Sequence, residues 1–532
     1  MVIFILLQGC FKQGSDYDKN SEIKGCTCDE NEFNNLNTEE DNLTPYTSGI
    51  LTMQINSEPG IMLSMFSGDN LIKQIIDHSV LQSLISIEPD TLQFKPELAT
   101  GWELSENKKS YTFYLDNNAK WHDGVKFTAN DVRYTFETML DTGSGAVISR
   151  LYEDVADVEV VDDYTVVITL DKPGDLFLLN LTQLMILPEH IFKNTTVISH
   201  EQAYAPIGTG PFIFDTWKRG QYIKIIRNRS YHNPKPQIKG VEFKIISENR
   251  IALNMFKKGG VDIISPVTDN GTLKNKNRFV FADNKITALL FNHKKPLFKS
   301  VSIRRAIAHL IDKNAIRCSL LNCLAKSINS PWHDIHPDHP FFYSPLKARQ
   351  ILDESGWKDL DGDTIREKNG QKLEFQLILA DDNINDRRMM TVIQHDLATA
   401  GIEMKIVIVS RSVYIERLQN HQFDLSIITI PTRPPYNAGS YFSSINSGSD
   451  YNYGQFKDNE TDDLFTQFNS MDIDNDKTKN KIANRLQETV PAIFLFDSFK
   501  KYFVSSRVHG LKLSFDGFKI DSFWLSKNKD FN

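Results

Sequence analysis

The chain of 532 residues is several times longer than a usual domain of ~100–150 residues, so two or three domains are expected. Its content of 40% hydrophobic and 24% charged residues is typical of a soluble globular protein. The formal net charge of −8 and the lack of a basic patch argue against a nucleic-acid partner, and no run of ~18 apolar residues predicts a transmembrane helix.

The N-terminus predicts an attachment to the membrane by lipid. Residues 2–7 are apolar and lead to Leu7-Gln8-Gly9-Cys10, which resembles the end of a bacterial lipoprotein signal, where the cysteine is lipidated after cleavage. The apolar run is shorter than a secretory core of ~7–15 residues, and Gln8 stands where a small residue is usual. We expect residues 1–10 to be a signal remnant with Cys10 as the lipidated residue. The alternative is an ordinary apolar N-terminus.

Residues 11–46 are polar and Asn-rich, with nine Asp or Glu and three Lys. Such a segment buries too little apolar surface to offset the entropy of ordering it, so a disordered acidic tether is expected. Cys26 and Cys28 lie within this segment, and a lone C-x-C is a weak metal signal.

Apolar and polar residues alternate repeatedly in the first half of the chain, and this alternation predicts strands at 50–55, 111–115, 157–170, 210–217 and 222–227. Helical periodicity is found at 129–140, 250–258, 302–316, 345–355, 385–400 and 478–488. Strands and helices are mixed along the chain, which predicts an α/β protein of more than one lobe.

The stretch AKWHDGVKFTANDVRYTFE (119–137) places His122, Asp123 and Asp131 close together in sequence, which raises the question of a catalytic or metal-binding cluster. Asp123-Gly124 is a turn dipeptide, and Thr128 with Asp131 three residues later resembles a capping box at the start of a helix. Each polar residue thus has a local structural role, so we expect scaffold rather than catalysis.

A strand–helix–strand unit is predicted from 372 to 409, with strands at 372–380 and 402–409 and a helix at 386–401. Short connections of this kind indicate a βαβ unit and a parallel sheet. A further helix and strand follow over 414–430. Ligands bind beyond the carboxyl ends of such strands, so the loop after Ile430 is a candidate site.

Three smaller clusters leave alternatives open. Cys318 and Cys323 form a disulfide in an exported protein or remain two buried thiols. His333, His336 and His339 suggest a metal, but the prolines among them indicate an exposed loop instead, and we predict no metal site. Asp359, Asp361 and Asp363 begin like a calcium loop, but its glycine and bidentate glutamate are missing, so we expect a polar hairpin.

The segment from Glu97 to Leu140 resembles the signature region of the family 5 extracellular solute-binding proteins, the peptide, dipeptide and nickel receptors of bacterial ABC importers. Further similar blocks occur in order at 206–232, 259–264, 289–316 and 343–375. The chain carries no P-loop, Rossmann fingerprint, Gly-x-Ser-x-Gly or His-Glu-x-x-His motif, and we expect no enzyme and no cofactor.

The resemblance implies an α/β, two-lobed periplasmic-binding-protein type II fold with an extra domain inserted in the first lobe. By position, lobe I would comprise 47–80, 207–286 and 496–532, the inserted domain 81–206, and lobe II 287–495. It further implies a monomer that binds a peptide-like ligand and serves a permease, in the periplasm or at the cell surface. Nickel-chelate or oligosaccharide binding within the family is the alternative. A sensory or scaffolding lipoprotein is the alternative of another class.

The candidate ligand residues are Glu58, Arg433, Tyr436 and Tyr441. Peptide receptors of this family commonly carry an acidic residue near position 433 for the peptide's α-amine, whereas this chain has Arg433 and no Asp or Glu from 425 to 449. An arginine holds a carboxylate bidentately and repels an ammonium group. We therefore expect either that another acid, such as Glu58, binds the amine or that the ligand is no simple peptide.

Overall fold

The computed structural model describes residues 45–526 apart from 68, 89–92, 175–176, 266–277, 322, 324, 333, 382, 433–437, 445–450, 471–475 and 513–517. None of the helices within these residues combines the length and the apolar character needed to cross a membrane.

The first half of the chain is rich in strands: β1 (Ile50–Ile55), β2 (Ile85–Ile87), β3 (Phe94–Pro96), β4 (Ala99–Leu104), β5 (Ser110–Leu115), β6 (Val155–Asp162), β7 (Thr165–Leu170), β8 (Phe212–Lys218), β9 (Tyr222–Arg227), β10 (Gly240–Ile245) and β11 (Ile263–Ile264). Its helices are α1 (Ser64–Ser67), α2 (Asn70–Ile75), α3 (Ala129–Leu140), α4 (Phe177–Leu181), α5 (Glu189–Phe192) and α6 (Asn249–Lys257). The strands predicted at 50–55 and 222–227 and the helix predicted at 129–140 have the predicted bounds.

The second half contains the strands β12 (Arg278–Phe291), β13 (Ala325–Ser327), β14 (Glu367–Lys368), β15 (Gln371–Lys372), β16 (Glu374–Ala380), β17 (Glu403–Val409), β18 (Leu425–Pro431), β19 (Ala492–Val504), β20 (Val508–His509) and β21 (Trp524–Leu525). Its helices are α7 (Pro296–Lys299), α8 (Val301–His309), α9 (Lys313–Ser319), α10 (Pro345–Glu354), α11 (Ile384–Ala398), α12 (Arg411–Gln419), α13 (Gly439–Phe442), α14 (Asn459–Ser470) and α15 (Asp476–Thr489). The single helix predicted at 302–316 is wrong, because Asp312 caps a new helix by accepting a hydrogen bond from the Ala315 amide at 2.9 Å.

A large mixed sheet runs through both halves in the order β17-β16-β18-β12-β19-β11-β1-β10-β9-β8, with β13 beside β19. The antiparallel strands β12 and β19 are long enough to pair with strands from both ends of this sheet. Residues 278–282 of β12 pair with 499–503 of β19 near β11, whereas residues 285–291 of β12 pair with β18. Two strands therefore cross from one lobe to the other. The predicted lobe boundaries at 286/287 and 495/496 fall inside these strands.

The predicted βαβ unit is confirmed, because β16 pairs in parallel with β17 across α11, and β18 pairs in parallel with β16. Apolar side chains alternate between two cores on opposite faces of this part of the sheet: Leu425 and Ile427 lie in one, Ile428 and Ile430 in the other. Since both faces are buried under helices, the strand reads as a nearly continuous apolar run.

A separate four-stranded antiparallel sheet, in the order β4-β5-β7-β6, occupies part of the predicted insertion at 81–206. Phe113, Val166 and Ile168 of this sheet and Val132 and Phe136 of α3 are buried in the same core. The boundaries of the insertion and of the two lobes stay predictions.

Candidate functional site

The loop after β18 carries three of the four residues predicted to bind a ligand. Arg433 and Tyr436 lie outside the residues that the structure describes. Tyr441 lies in α13 with 5% of its surface exposed, and its ring centroid is 5.4 Å from that of Tyr451. A ligand has little of Tyr441 to contact in this conformation, and the roles of all three residues stay predictions.

Glu58, the fourth predicted ligand residue, lies beyond the end of β1 and binds the β8–β9 hairpin. Its carboxylate accepts hydrogen bonds from Trp217 Nε1 at 3.0 Å and from the Gly220 amide at 3.1 Å. The Arg219 guanidinium lies 3.9 Å from the same carboxylate and 3.4 Å from the centre of the Trp217 ring. A ligand's amine would have to share this carboxylate with three groups of the protein, and its binding there stays a prediction.

His122 joins two segments that are far apart in sequence. The Gly208 amide donates to Nδ1 at 3.2 Å, and Nε2 donates to the Gly210 carbonyl at 3.1 Å. With Nδ1 accepting, the ring is neutral, and burial lowers the pKa of His122 to about 4. The role is structural, as predicted, but it is long-range rather than local.

Asp131 forms the predicted capping box with Thr128, whose amide donates to its carboxylate at 2.9 Å. The same carboxylate accepts from the Glu189 amide at 2.9 Å and so ties α3 to α5. Asp123 pairs with a different residue, His190, at 2.8 Å. The structure therefore does not bring His122, Asp123 and Asp131 together as one site.

A cavity of about 380 Å³ lies where the first part of the chain meets its C-terminal end, and this volume falls within the ~300–1,000 Å³ of ligand pockets. Its wall is formed by residues from 73–79, from 86–88 and 95–97 in the β2–β3 hairpin, from 182–183, 231–234 and 518–521, and by Pro211.

The cavity lies close to the crossing strands. The Phe518 ring lines it, and its centroid is 4.9 Å from that of Tyr502 in β19. A molecule bound here therefore sits one side chain away from a strand that continues into the other lobe.

Four carboxylates and three ammonium groups line the cavity: Asp77, Glu88, Glu97, Asp521, Lys73, Lys95 and Lys519. A wall with both signs of charge suits a ligand that is itself charged.

Glu97 is fully engaged by the protein. Its carboxylate accepts from the Ser83 amide at 3.1 Å and the Ser83 hydroxyl at 2.8 Å, and His78 Nδ1 lies 3.0 Å away. Burial alone raises the pKa of Glu97, but the charge and hydrogen bond of His78 and the bonds from Ser83 outweigh it, so the pKa is lowered. Glu97 thus remains an anion that organises the wall.

Asp521 is different, because its carboxylate accepts no hydrogen bond from another residue among those described in the structure. It lies in a short 3-10 turn, Ile520–Ser522, and is half-buried. Burial raises its pKa, and the nearby Lys519 and Lys95 oppose that rise. A carboxylate in this situation gains from a cation that enters the cavity.

Gln183 also lies in the wall of the cavity. Its Oε1 accepts from Lys73 Nζ at 3.2 Å, whereas its Nε2 is buried without a partner among the described residues. Buried donors of this kind are rare in folded proteins, and Nε2 exposes too little surface for a molecule in the cavity to reach it.

The acidic loop predicted not to bind calcium brings three exposed carboxylates within 4.8 Å of one another: Asp359, Asp361 and Asp363. The Gly362 amide donates to Asp359 at 2.8 Å, and the Lys372 ammonium group pairs with both Asp361 and Asp363. These donors explain the arrangement as a polar hairpin. His336 and His339 are exposed and His333 lies outside the described residues, so metal binding there stays untested.

The cavity could not be predicted from the sequence, because the residues of its wall come from several segments spread between positions 73 and 521. Asp521 in KIDSFW carries no motif that distinguishes it from a surface aspartate.

Known proteins resemble this chain over about two thirds of its length or more. The oligopeptide-binding protein AppA of Bacillus subtilis (strain 168) is 28% identical over 507 residues, which cover 91% of this chain and 93% of AppA. The nickel-binding periplasmic protein of Escherichia coli (strain K12) is 26% identical over 369 residues, 66% of this chain and 70% of that protein.

A solved structure of Bacillus subtilis AppA in complex with a nonapeptide superposes with a TM-score of 0.73 at 28% identity, covering 91% of this chain and all of that one. The predicted α/β, two-lobed type II fold is thereby confirmed. The model of bacterial extracellular solute-binding proteins, family 5 Middle, matches residues 93–453. The chain belongs to the family 5 bacterial extracellular solute-binding proteins.

Proposed function

We propose that this chain is an extracytoplasmic receptor that binds peptides or oligopeptides and delivers them to an ABC importer. The observation that carries the proposal is the similarity to AppA along 91% of the chain, in both sequence and fold, together with the nonapeptide held by AppA.

Its mechanism is non-covalent cleft closure. The ligand lies between lobe I (47–80, 207–286 and 496–532) and lobe II (287–495) and contacts both when they approach each other. Bending of the two crossing strands, β12 and β19, lets the lobes move as bodies. A ligand that contacts both lobes in the closed state shifts the equilibrium toward it, and the permease binds that state.

The N-terminal pattern supports an anchor on the membrane through lipid on Cys10, with residues 11–46 as the tether that lets the receptor reach the permease. Residues 1–44 lie outside the described residues, so mass spectrometry of the N-terminal peptide from native membranes is the direct measurement. A diacylglyceryl group on Cys10 supports the anchor, and an unmodified Cys10 refutes it.

Thermal unfolding with candidate ligands tests the function. Purified protein, unfolded and refolded to remove bound ligand, is heated alone, with a random nonapeptide library, with Ni²⁺ and histidine, and with oligosaccharides. A ligand at 100 times its Kd stabilises the folded state by about 2.7 kcal/mol. We expect peptides to raise the midpoint, with the equivalent mixture of free amino acids as the control. A shift with Ni²⁺ and histidine alone would replace the peptide with a nickel chelate, and no shift at all would favour a role without transport.

A further inference from the structure

Three large apolar side chains are exposed to solvent where helix α10 begins. Phe342 exposes 66% of its surface, Tyr343 44% and Leu346 79%. Apolar side chains that are exposed one at a time are ordinary in folded proteins, whereas a group of them marks a contact surface. These three residues, which we name the α10 patch, are therefore a candidate for contact with a partner outside the chain.

Hydrogen bonds to helix α8 fix the backbone of the α10 patch. The Ser344 amide donates to the His309 carbonyl at 2.8 Å, and the Phe342 carbonyl accepts from His309 Nδ1 at 2.9 Å. The Ser344 hydroxyl caps α10 by accepting from the Lys347 amide at 3.2 Å. Because the backbone is held in this way, the exposure of the patch is built into the fold.

Positive charge surrounds the α10 patch. Lys347 and Arg349 follow it in α10 and are exposed. Burial lowers the pKa of His309, and the charges of Lys347 and Arg305 lower it further, which places both cations close to the patch. No Asp or Glu occurs from 339 to 352. The patch thus combines apolar side chains with a local excess of positive charge, although the whole chain has a net charge of −8.

A lipid surface suits this combination better than a protein partner does. Phe342 and Leu346 project from the molecule, and a protein partner would need a pocket shaped for each of them. Aromatic rings favour the boundary between headgroups and acyl chains, apolar side chains enter the acyl region, and lysine and arginine attract anionic headgroups. The residues of the patch and their basic neighbours supply all three contacts.

The proposed tether, residues 11–46, makes even a weak contact with the membrane effective. A flexible chain of this length spans roughly 30 Å on average and ~120 Å when fully extended. With a lipid on Cys10, such a chain keeps the folded body at a high effective concentration near the membrane and lets either lobe turn toward it.

We propose that the α10 patch binds the surface of the membrane, with its apolar side chains among the headgroups and with Lys347 and Arg349 against anionic lipid. This contact goes beyond the proposed function, because it is separate from the ligand cleft and from the lipid on Cys10. It holds predicted lobe II against the membrane that contains the proposed importer.

Sedimentation with vesicles tests the contact on the full chain, made without lipid on Cys10 and without ligand. Vesicles of phosphatidylglycerol and phosphatidylcholine are compared with vesicles of phosphatidylcholine alone. The variants are Leu346→Ser and Lys347→Gln. The matched control is Leu360→Ser, because Leu360 is 73% exposed but lies in the acidic hairpin with Asp359, Asp361 and Asp363.

We expect the native chain to bind the mixed vesicles, and to bind them less as the salt concentration rises. Burial of a leucine side chain at the depth of the headgroups accounts for about 3- to 10-fold in the partition coefficient, so Leu346→Ser should lose that factor. Lys347→Gln should lose about fivefold, and only on vesicles that contain phosphatidylglycerol. Leu360→Ser should stay within about twofold of the native chain.

Hydrogen–deuterium exchange locates the contact in the native chain and needs no variant. The amides of 341–350 should exchange more slowly with mixed vesicles present, whereas those of 357–366 should not change. This measurement also separates the α10 patch from the apolar residues 2–7, which are the same in every variant and can bind lipid themselves.

Failure to bind the mixed vesicles, or binding without slower exchange at 341–350, would overturn the inference. Equal losses for Leu346→Ser and Leu360→Ser would do the same. Native partition of both Leu346→Ser and Lys347→Gln would also overturn it and would leave the patch to a protein partner. No peptide ligand takes part in these measurements, so each of these outcomes leaves the proposed function as it stands.

Discussion

Replacement of His122 by Gln tests whether a neutral imidazole holds the first part of the chain to the Gly208–Gly210 segment. Glutamine keeps one donor and one acceptor but cannot titrate. In the native protein the ring accepts from the Gly208 amide and donates to the Gly210 carbonyl, and burial lowers its pKa from 6.5 to about 4. The folded state therefore resists a proton that the unfolded state takes up.

The sign and size follow from linkage. A folded pKa below the unfolded one gives stability that is present above pH 6.5 and is lost as the pH falls toward 4. At pH 5 the loss is at most about 2 kcal/mol, since each pKa unit corresponds to about 1.4 kcal/mol and His122 is not fully shielded from water. His122→Gln lacks this loss, so its stability deficit relative to the native protein should shrink by that amount between pH 7.5 and pH 5.

Urea unfolding followed by circular dichroism at both pH values measures the difference. The matched control is His336→Gln, because His336 is an exposed loop histidine and its replacement should move the curves at both pH values by less than about 0.5 kcal/mol. A deficit for His122→Gln that is the same at pH 5 and pH 7.5 would show that folding does not lower the pKa of His122, contrary to a buried ring that accepts one hydrogen bond and donates the other.

Two further substitutions probe the scaffold. Gly208→Ala would place a Cβ 1.8 Å from the Val80 carbonyl oxygen, so we expect a loss of stability greater than the ~1–3 kcal/mol of an ordinary overpacking change, seen as a lower thermal midpoint and a lower yield of folded protein. The control is Gly60→Ala, because an added Cβ there has no atom within 4 Å. Equal midpoints for the two variants would contradict the close contact at Gly208. Lys313 donates to the Ile328 carbonyl at 2.7 Å and to Asn329 Oδ1 at 2.8 Å, and burial lowers its pKa from 10.5 to about 7. Between pH 7 and pH 10.5 the unfolded state holds a proton on Lys313 that the folded state has lost, so the free energy of unfolding of the native protein should rise by about 2–3 kcal/mol from pH 7 to pH 9. The variant Lys313→Met should lack this rise. Parallel pH profiles of the two proteins in urea unfolding would refute a buried amine that loses its proton.

Local sequence patterns predicted the bounds of helices and strands well where a single pattern, such as alternation or a capping box, was unambiguous. The alternation in ILTMQI gave β1 its bounds, and Thr128 with Asp131 gave the start of α3, since capping depends on residues three apart. The same reasoning failed at 302–316, where the apolar period continues through Asp312 although its side chain starts a second helix. The periodicity of apolar residues indicates which face of a helix is buried. It does not indicate that one helix has ended when the next helix buries the same face.

The sequence by itself determined the fold class and the family, because both depend on ordered blocks and local periodicity that a single chain displays. It also predicted a structural role for His122, and it contains no Asp or Glu from 425 to 449. Only the tertiary structure decided that His122 acts across 86 residues on Gly208, and that Glu58 is already bound to a neighbouring hairpin.

The cavity with Asp521 is likewise a product of the tertiary structure. Its wall joins α2, the β2–β3 hairpin and the C-terminal turn, and the availability of a carboxylate depends on which donors the rest of the fold brings near it. Hydrogen-bond capacity that remains unused is a property of the packed molecule, because every aspartate in the sequence carries the same four lone-pair sites until its neighbours are in place.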